Sequence, residues 1–289
     1  MSMNSTSTCM YAPAHRTKKK GRCFLQCIMI LMVLVFLFPF YVVLSVSVKS
    51  PQQALMDPSG FPTSVHFENF VEAFYTMRFP VVFSNSVFIT VLGVTGIVLL
   101  SVCAAYPLAK GHGKGYHWLY LAFVCGIMVP FHTTLVPLVK TIADLHLLNS
   151  RLGLIIVYLG RSIPFAIFLY TGFIRGISNQ ILEAAEIDGA SPFYLFLSIV
   201  LPLLKPITAT VVILNALDLW NDFLLPLLVI SDYSKQTIPL SQYMFYGTYG
   251  TQWQLAFAGY VIAMSPIIIL YIFMQKNIVK GVAAGALKG

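Results

Sequence analysis

Residues 178–206 read S-N-Q-I-L-E-A-A-E-I-D-G-A-S-P-F-Y-L-F-L-S-I-V-L-P-L-L-K-P, a polar break between two apolar stretches. Glu183, Glu186 and Asp188 are three of only ten acidic residues in the chain. The residue order predicts helix, turn, helix. Ser178 is placed to cap a first helix running to about Asp188, and Gly189 to take the left-handed conformation that ends it. Ser191 followed by Pro192 supplies a second cap with proline at the first helical position. That second helix carries Phe193, Leu197, Val200 and Leu201 on one stripe and is expected to stop at Pro202. Asp188 lies near a helix C-terminus, where a negative charge opposes the macrodipole, so helix stability does not explain it. A basic partner surface would.

The surrounding chain is apolar. Of its 289 residues 58% are hydrophobic and 10% charged, far from the balance of a soluble domain. Six windows are each long enough to cross a hydrocarbon core of about 30 Å as a helix: 24–48, 85–109, 118–138, 152–173, 203–230 and 254–275. The fold class is therefore an all-α integral membrane protein. A basic tail, 1–23, precedes the first span, and a second tail, 276–289, follows the last. The first apolar run is too long for a signal peptide and lacks a clean small-residue cleavage site.

Basic residues orient the spans. With the 1–23 tail, the 110–117 loop and the 178–202 break placed inside, twelve of the eighteen Lys and Arg are inside, five outside, and Arg161 is within a span. This obeys the positive-inside rule and expects both termini in the cytoplasm. The net charge of +8 is thus a matter of topology, and no nucleic-acid role is assigned. The five cysteines form no plausible extracellular pair, and the six scattered histidines suggest no metal site. Gly111-His112-Gly113-Lys114-Gly115 lacks the spacing and the following Ser or Thr of a phosphate loop, so no nucleotide site is expected in this chain.

The cytoplasmic break carries a resemblance. Glu183-Ala184-Ala185, Asp188-Gly189-Ala190, Phe196, Ile199, Leu201-Pro202 and Pro206 stand as they do in the EAA loop of ABC importer permeases. The stretch 219–227, Leu-Trp-Asn-Asp-Phe-Leu-Leu-Pro-Leu, and the C-terminal 273–289 look like those of carbohydrate-importer permeases of the maltose type. Weaker matches at Asn69-Phe70, Asn85-Ser86 and Ala104-Ala105-Tyr106 extend the likeness over most of the chain, with Ser178-Asn179 and Pro107 departing from the family's usual residues.

The resemblance implies a type I ABC importer permease fold with six transmembrane helices in a prokaryotic cell membrane. It implies that Glu183, Ala184, Ala185, Glu186, Asp188, Gly189, Ala190, Leu201 and Pro202 dock in a cleft of a separate ATPase. A tail holding Lys280, Gly281, Gly285 and Lys288 would reach the same ATPase dimer. The implied partners are a second permease subunit, two ATPase subunits that bind the ATP and magnesium, and an extracellular sugar-binding protein touched by 231–253. The chain itself would catalyse nothing and hold no cofactor. The bland alternative for 178–202 is a solvated amphipathic loop.

Ionisable groups inside a span are functional candidates by default. Arg161 and the pair Asp218 and Asp222 sit at similar depth below the outer surface, so a salt bridge between spans four and five is geometrically open. Asn215, Trp220 and Asn221 add amides and a ring suited to hydroxyls and the apolar face of a sugar. The residues allow a polar transport pathway or a structural ion pair, and an unpaired Arg161 would suit an acidic sugar. Two other functions stay open: an ion-driven carrier using Asp218 or Asp222, and an ABC permease for another solute such as a polyamine.

Overall fold

A computed structural model describes the backbone of residues 16–247 and 250–286, with side chains described over 24–246, 252–269 and at Ile272. In chain order the helices are α1 (Arg16–Ser47), α2 (Pro51–Met56), α3 (Glu68–Thr76), α4 (Phe79–Lys110), α5 (Lys114–Met128), α6 (Phe131–Asp144), α7 (Arg151–Arg175), α8 (Asn179–Ile187), α9 (Pro192–Leu203), α10 (Lys205–Asn221), α11 (Leu224–Val229), α12 (Ile238–Ser241) and α13 (Trp253–Ala286). A two-residue hairpin, β1 (Tyr246–Gly247) against β2 (Gly250–Thr251), precedes α13. Helix dominates because backbone groups in hydrocarbon must be satisfied within their own segment.

Among the described residues three helices are long and apolar enough to cross a membrane: α1 over Phe24–Ser47, α4 and α7. The number is five if the bent pairs α5/α6 and α9/α10 each count as one span. The sixth expected span falls in α13, whose described apolar part is Trp253–Ile269.

Two expected spans are broken. The window 118–138 is two helices meeting at 89°. Pro130 forces the break, because the residue before a proline is pushed out of the helical region and Val129 is extended at φ −76°, ψ 117°. The window 203–230 breaks twice. It bends by 69° at Leu204 and stops again at Asp222. There the Asp222 Oδ1 accepts hydrogen bonds from the amides of Leu224 (3.0 Å) and Leu225 (3.3 Å), starting α11. The second span also begins earlier than expected, at Phe79, after Arg78 turns the chain with φ 50° and Pro80 enters the first turn.

The core lies between α4, α7, α9 and α10, around Ile97, Leu154, Tyr158, Tyr170 and Leu219, with Tyr158, Tyr170 and Ile97 fully buried. Gly93 lets α4 and α10 close up, since a Cβ there would lie 2.6 Å from Leu219 Cδ2. A second cluster joins Ala73, Met77 and Val82 to Ile238, Phe245 and Leu255. It seats the 231–246 connection on α3, α4 and the start of α13. Asn85 fastens the same connection by donating to the carbonyls of Ser234 (2.8 Å) and Gln236 (3.0 Å), and Ser86 Oγ accepts from the Ile238 amide. From Phe24 to Phe38 the apolar side chains of α1 are exposed, as a lipid- or subunit-facing helix requires.

Candidate functional site

The 178–202 stretch folds as helix, turn, helix. Leu182 anchors α8 to the core, while Glu183, Ala184, Glu186 and Asp188 face outward and Ala185 and Ala190 are half-buried. α8 ends one residue before Asp188, with Gly189 at φ 85°. The Ala190 amide donates to the Ala185 carbonyl and the Gly189 amide to that of Glu186, each at 3.0 Å, which is the Schellman closure that a left-handed glycine permits. Ser191 caps α9, its Oγ accepting from the Tyr194 amide at 3.3 Å.

Three local expectations are corrected. Ser178 has extended backbone at the start of α8, but its side chain makes no capping bond. Lys110, at the end of α4, holds that junction instead, donating to the Ile177 carbonyl (2.9 Å) and to Asn179 Oδ1 (2.7 Å). Pro202 does not end the second helix. The segment Leu195–Val200 is wound as a π-helix, and α9 continues through Pro202 to Leu203. The expected stripe is also divided, for Phe193, Leu197 and Leu201 are exposed whereas Val200 is buried.

The result is a protruding element with a cleft of about 610 Å³ bordered by Ala185, Asp188, Gly189, Ala190, Ser191 and Tyr194. Ile187 is 87% exposed and Phe193 72%, so apolar side chains flank the exposed carboxylates. Underneath, Phe196 meets the Tyr106 ring of α4 at 5.2 Å. α4 therefore grips both halves of the element, through Lys110 and through Tyr106.

The charged residues of the expected pathway meet. Arg161 of α7 pairs with Asp218, and its other guanidinium nitrogen is 3.5 Å from Asp222. The guanidinium also lies 4.9 Å from the ring centre of Phe131 and 5.2 Å from that of Tyr158. Phe131 could not be foreseen here, because it arrives through the sharp bend after Pro130. The remaining candidates are elsewhere. Asn215 is buried with its amide donated to the Val211 carbonyl of its own helix (2.8 Å). Trp220 and Asn221 project to another side of α10 and line a cavity of about 530 Å³ with Tyr243, Tyr246 and Tyr260. The single polar pathway expected from the sequence is thus a charged cluster and a separate aromatic cavity.

The backbone of 276–286 prolongs α13. The surroundings of Lys280, Gly281 and Gly285 and the whole of Lys288 lie outside the described residues. Among the described residues no group of His, Cys, Asp and Glu is arranged to hold a metal ion, and Cys27, Cys103 and Cys125 are free thiols.

Comparison with known proteins places this architecture. The chain is 36% identical over 259 residues to the multiple sugar-binding transport system permease protein MsmG of Streptococcus mutans, covering 88% of this chain and 93% of that one. It is 33% identical over 255 residues to the melibiose/raffinose/stachyose import permease protein MelC of Bacillus subtilis, covering 87% and 91%. The fold matches a chain of a bacterial ABC transporter involved in the import of the acidic polysaccharide alginate, with TM-score 0.78 at 22% identity, covering 93% of this chain and 99% of that one. Residues 96–284 match the family described as the binding-protein-dependent transport system inner membrane component. Helix-turn-helix, charged cluster and helical frame accordingly sit in a chain that belongs to this family, the membrane permeases of ABC importers.

Proposed function

We propose that this chain is a sugar- or oligosaccharide-translocating permease, driven through 178–202 by a separate ATPase that binds the ATP and magnesium. The observation that carries the coupling role is the protruding element closed at Gly189. It presents a cleft, exposed carboxylates and exposed apolar side chains, yet is fixed to α4 through Lys110 and Tyr106. Such a surface is built to be gripped. Force applied there passes into α4, and across the 69° joint into α10, which carries Asp218 and Trp220. Inward movement of the element would then open the outer half of the bundle, an alternating-access cycle of rigid helices about a few joints.

The sugar class is supported by the relatives that import multiple sugars, melibiose, raffinose and stachyose. The family's own description supports an extracellular binding protein as partner. An aliphatic cavity of about 600 Å³ along α4, α10 and α13, bordered by Val91, Val98 and Leu217, supports a second permease subunit beside this one. The basic 1–23 tail and 110–117 loop support cytoplasmic termini in a bacterial membrane. An ion-driven carrier is less well supported, because Asp218 and Asp222 are both committed to Arg161.

The test is Gly189→Asp in the complete importer. The substitution places a side chain at a positive φ and adds charge to the cleft. The complex is expected to assemble and hydrolyse ATP while uptake falls at least about tenfold, a loss of ~1.4 kcal/mol of coupling. Wild-type uptake by this variant would sink the coupling role.

A further inference from the structure

The cavity beside Trp220 is unlike its neighbour. The aliphatic cavity is bordered mainly by Val, Ile and Leu side chains, as suits an acyl chain or a partner helix. The second, of about 530 Å³, is bordered by Trp220, Phe223, Gln242, Tyr243, Tyr246 and Tyr260. Its size falls in the roughly 300–1,000 Å³ range of small-molecule sites. Its aromatic border is also the start of a longer series. Phe223, Tyr243, Tyr246, Trp253, Phe257 and Tyr260 follow one another with ring centres 6.3, 6.3, 6.4, 6.3 and 5.9 Å apart. Tyr246 is both the first residue of the β1/β2 hairpin and part of the cavity border, and the series closes on Tyr260, whose hydroxyl meets that of Tyr246, so the rings form a circuit beside the cavity.

Polar atoms are set among these rings. The Tyr246 and Tyr260 hydroxyls are 2.7 Å apart, and each retains further donor or acceptor capacity. Gln242 is 6% exposed and packs its amide against α13, the nitrogen donating toward the Gly259 carbonyl (3.4 Å), so it helps to form the wall of the cavity. Among the described residues the border carries no charged side chain; of the nearby carboxylates, Asp218 is hydrogen-bonded by Arg161 and Asp222 lies 3.5 Å from the same guanidinium.

Flat rings with hydroxyl and amide groups between them match one chemical class. A pyranose has an apolar C–H face that stacks on an aromatic ring and a rim of hydroxyls that need donors and acceptors. We propose that this cavity is a carbohydrate subsite of this subunit, taking a neutral hexose unit against the rings of Trp220, Tyr243 and Tyr246. The proposal rests on the sugar-permease reading and adds to it a place and a charge preference.

The test uses the complete importer with its binding protein in proteoliposomes and radiolabelled raffinose, melibiose and maltotriose. Tyr243→Ala is expected to raise the apparent KM for the transported sugar about tenfold, with Tyr243→Phe close to wild type because the stacking face survives. Tyr260→Phe, which removes one hydroxyl, is expected to raise KM about threefold. Wild-type kinetics for both Tyr243→Ala and Tyr260→Phe, with the unmodified importer active, would overturn the subsite and leave the sugar reading standing. If Tyr243→Ala fails to co-purify with the other subunits and Tyr260→Phe transports normally, the cavity is a subunit contact and the proposal falls. An unmodified importer that takes up none of the three sugars overturns the sugar reading and the subsite with it.

Discussion

Arg161 shows how much one charge can organise. It draws Asp218 and Asp222 of the 205–223 stretch toward α7, and its guanidinium is covered by Phe131 and Tyr158. The partners are not equal. The Asp222 side chain is 11% exposed and that of Asp218 53%, so removing the guanidinium strands mainly Asp222. Arg161→Met is expected to cost about 3 kcal/mol, the low end for breaking a buried pair. It should appear as a lower thermal midpoint of the purified complex, with Arg161→Met/Asp222→Asn recovering most of the loss. Asp218→Asn should cost about 1 kcal/mol or less and keep more than half of the transport rate. Abolished transport in that variant would mean a proton relay at Asp218 in place of a lock.

The proposed coupling element depends on where its ends are held. Its turn is local, because Gly189 and the Ala185 carbonyl are enough to build it. Its attachment is not, since Lys110 reaches it from the far end of α4. Lys110→Met removes two hydrogen bonds to the start of α8, a weakening of about 1–3 kcal/mol. The expected outcome is a looser lever, with sugar transported per ATP hydrolysed falling about threefold or more while the subunits still co-purify. An unchanged ratio would move the point of force transfer elsewhere, with Tyr106 against Phe196 as the remaining link between α4 and the element.

At the scale of the whole molecule, the proposed orientation puts the element and the 231–246 connection on opposite sides of the membrane. Both offer exposed side chains, Phe193 at 72% and Tyr233 at 59%. Phe193→Cys and Tyr233→Cys, each in a cysteine-free background, therefore test the topology. A membrane-impermeant maleimide is expected to label position 233 in intact cells and position 193 only after permeabilisation. The reverse pattern would invert the topology and remove the coupling role from the 178–202 element.

A helical membrane protein with a helix-turn-helix at 178–202, turned by Gly189, is legible in the residues alone. Those are short-range matters, since runs of hydropathy make spans and a single glycine takes the left-handed backbone that closes a helix. Only the tertiary structure decided what meets what. Pro130 is plain in the sequence, but that the bend there carries Phe131 onto Arg161 is not. Pro202 reads as a stop, yet a π segment lets the helix continue past it. Trp220 and Asp218 read as one polar group, but two positions on a helix point about 200° apart, and packing sends one toward the aromatic cavity and the other toward α7. Asn85 reaches Gln236 across 151 residues and Lys110 reaches Asn179 across 69. Hydropathy and caps act within a single span, whereas these partners are chosen by how the helices pack.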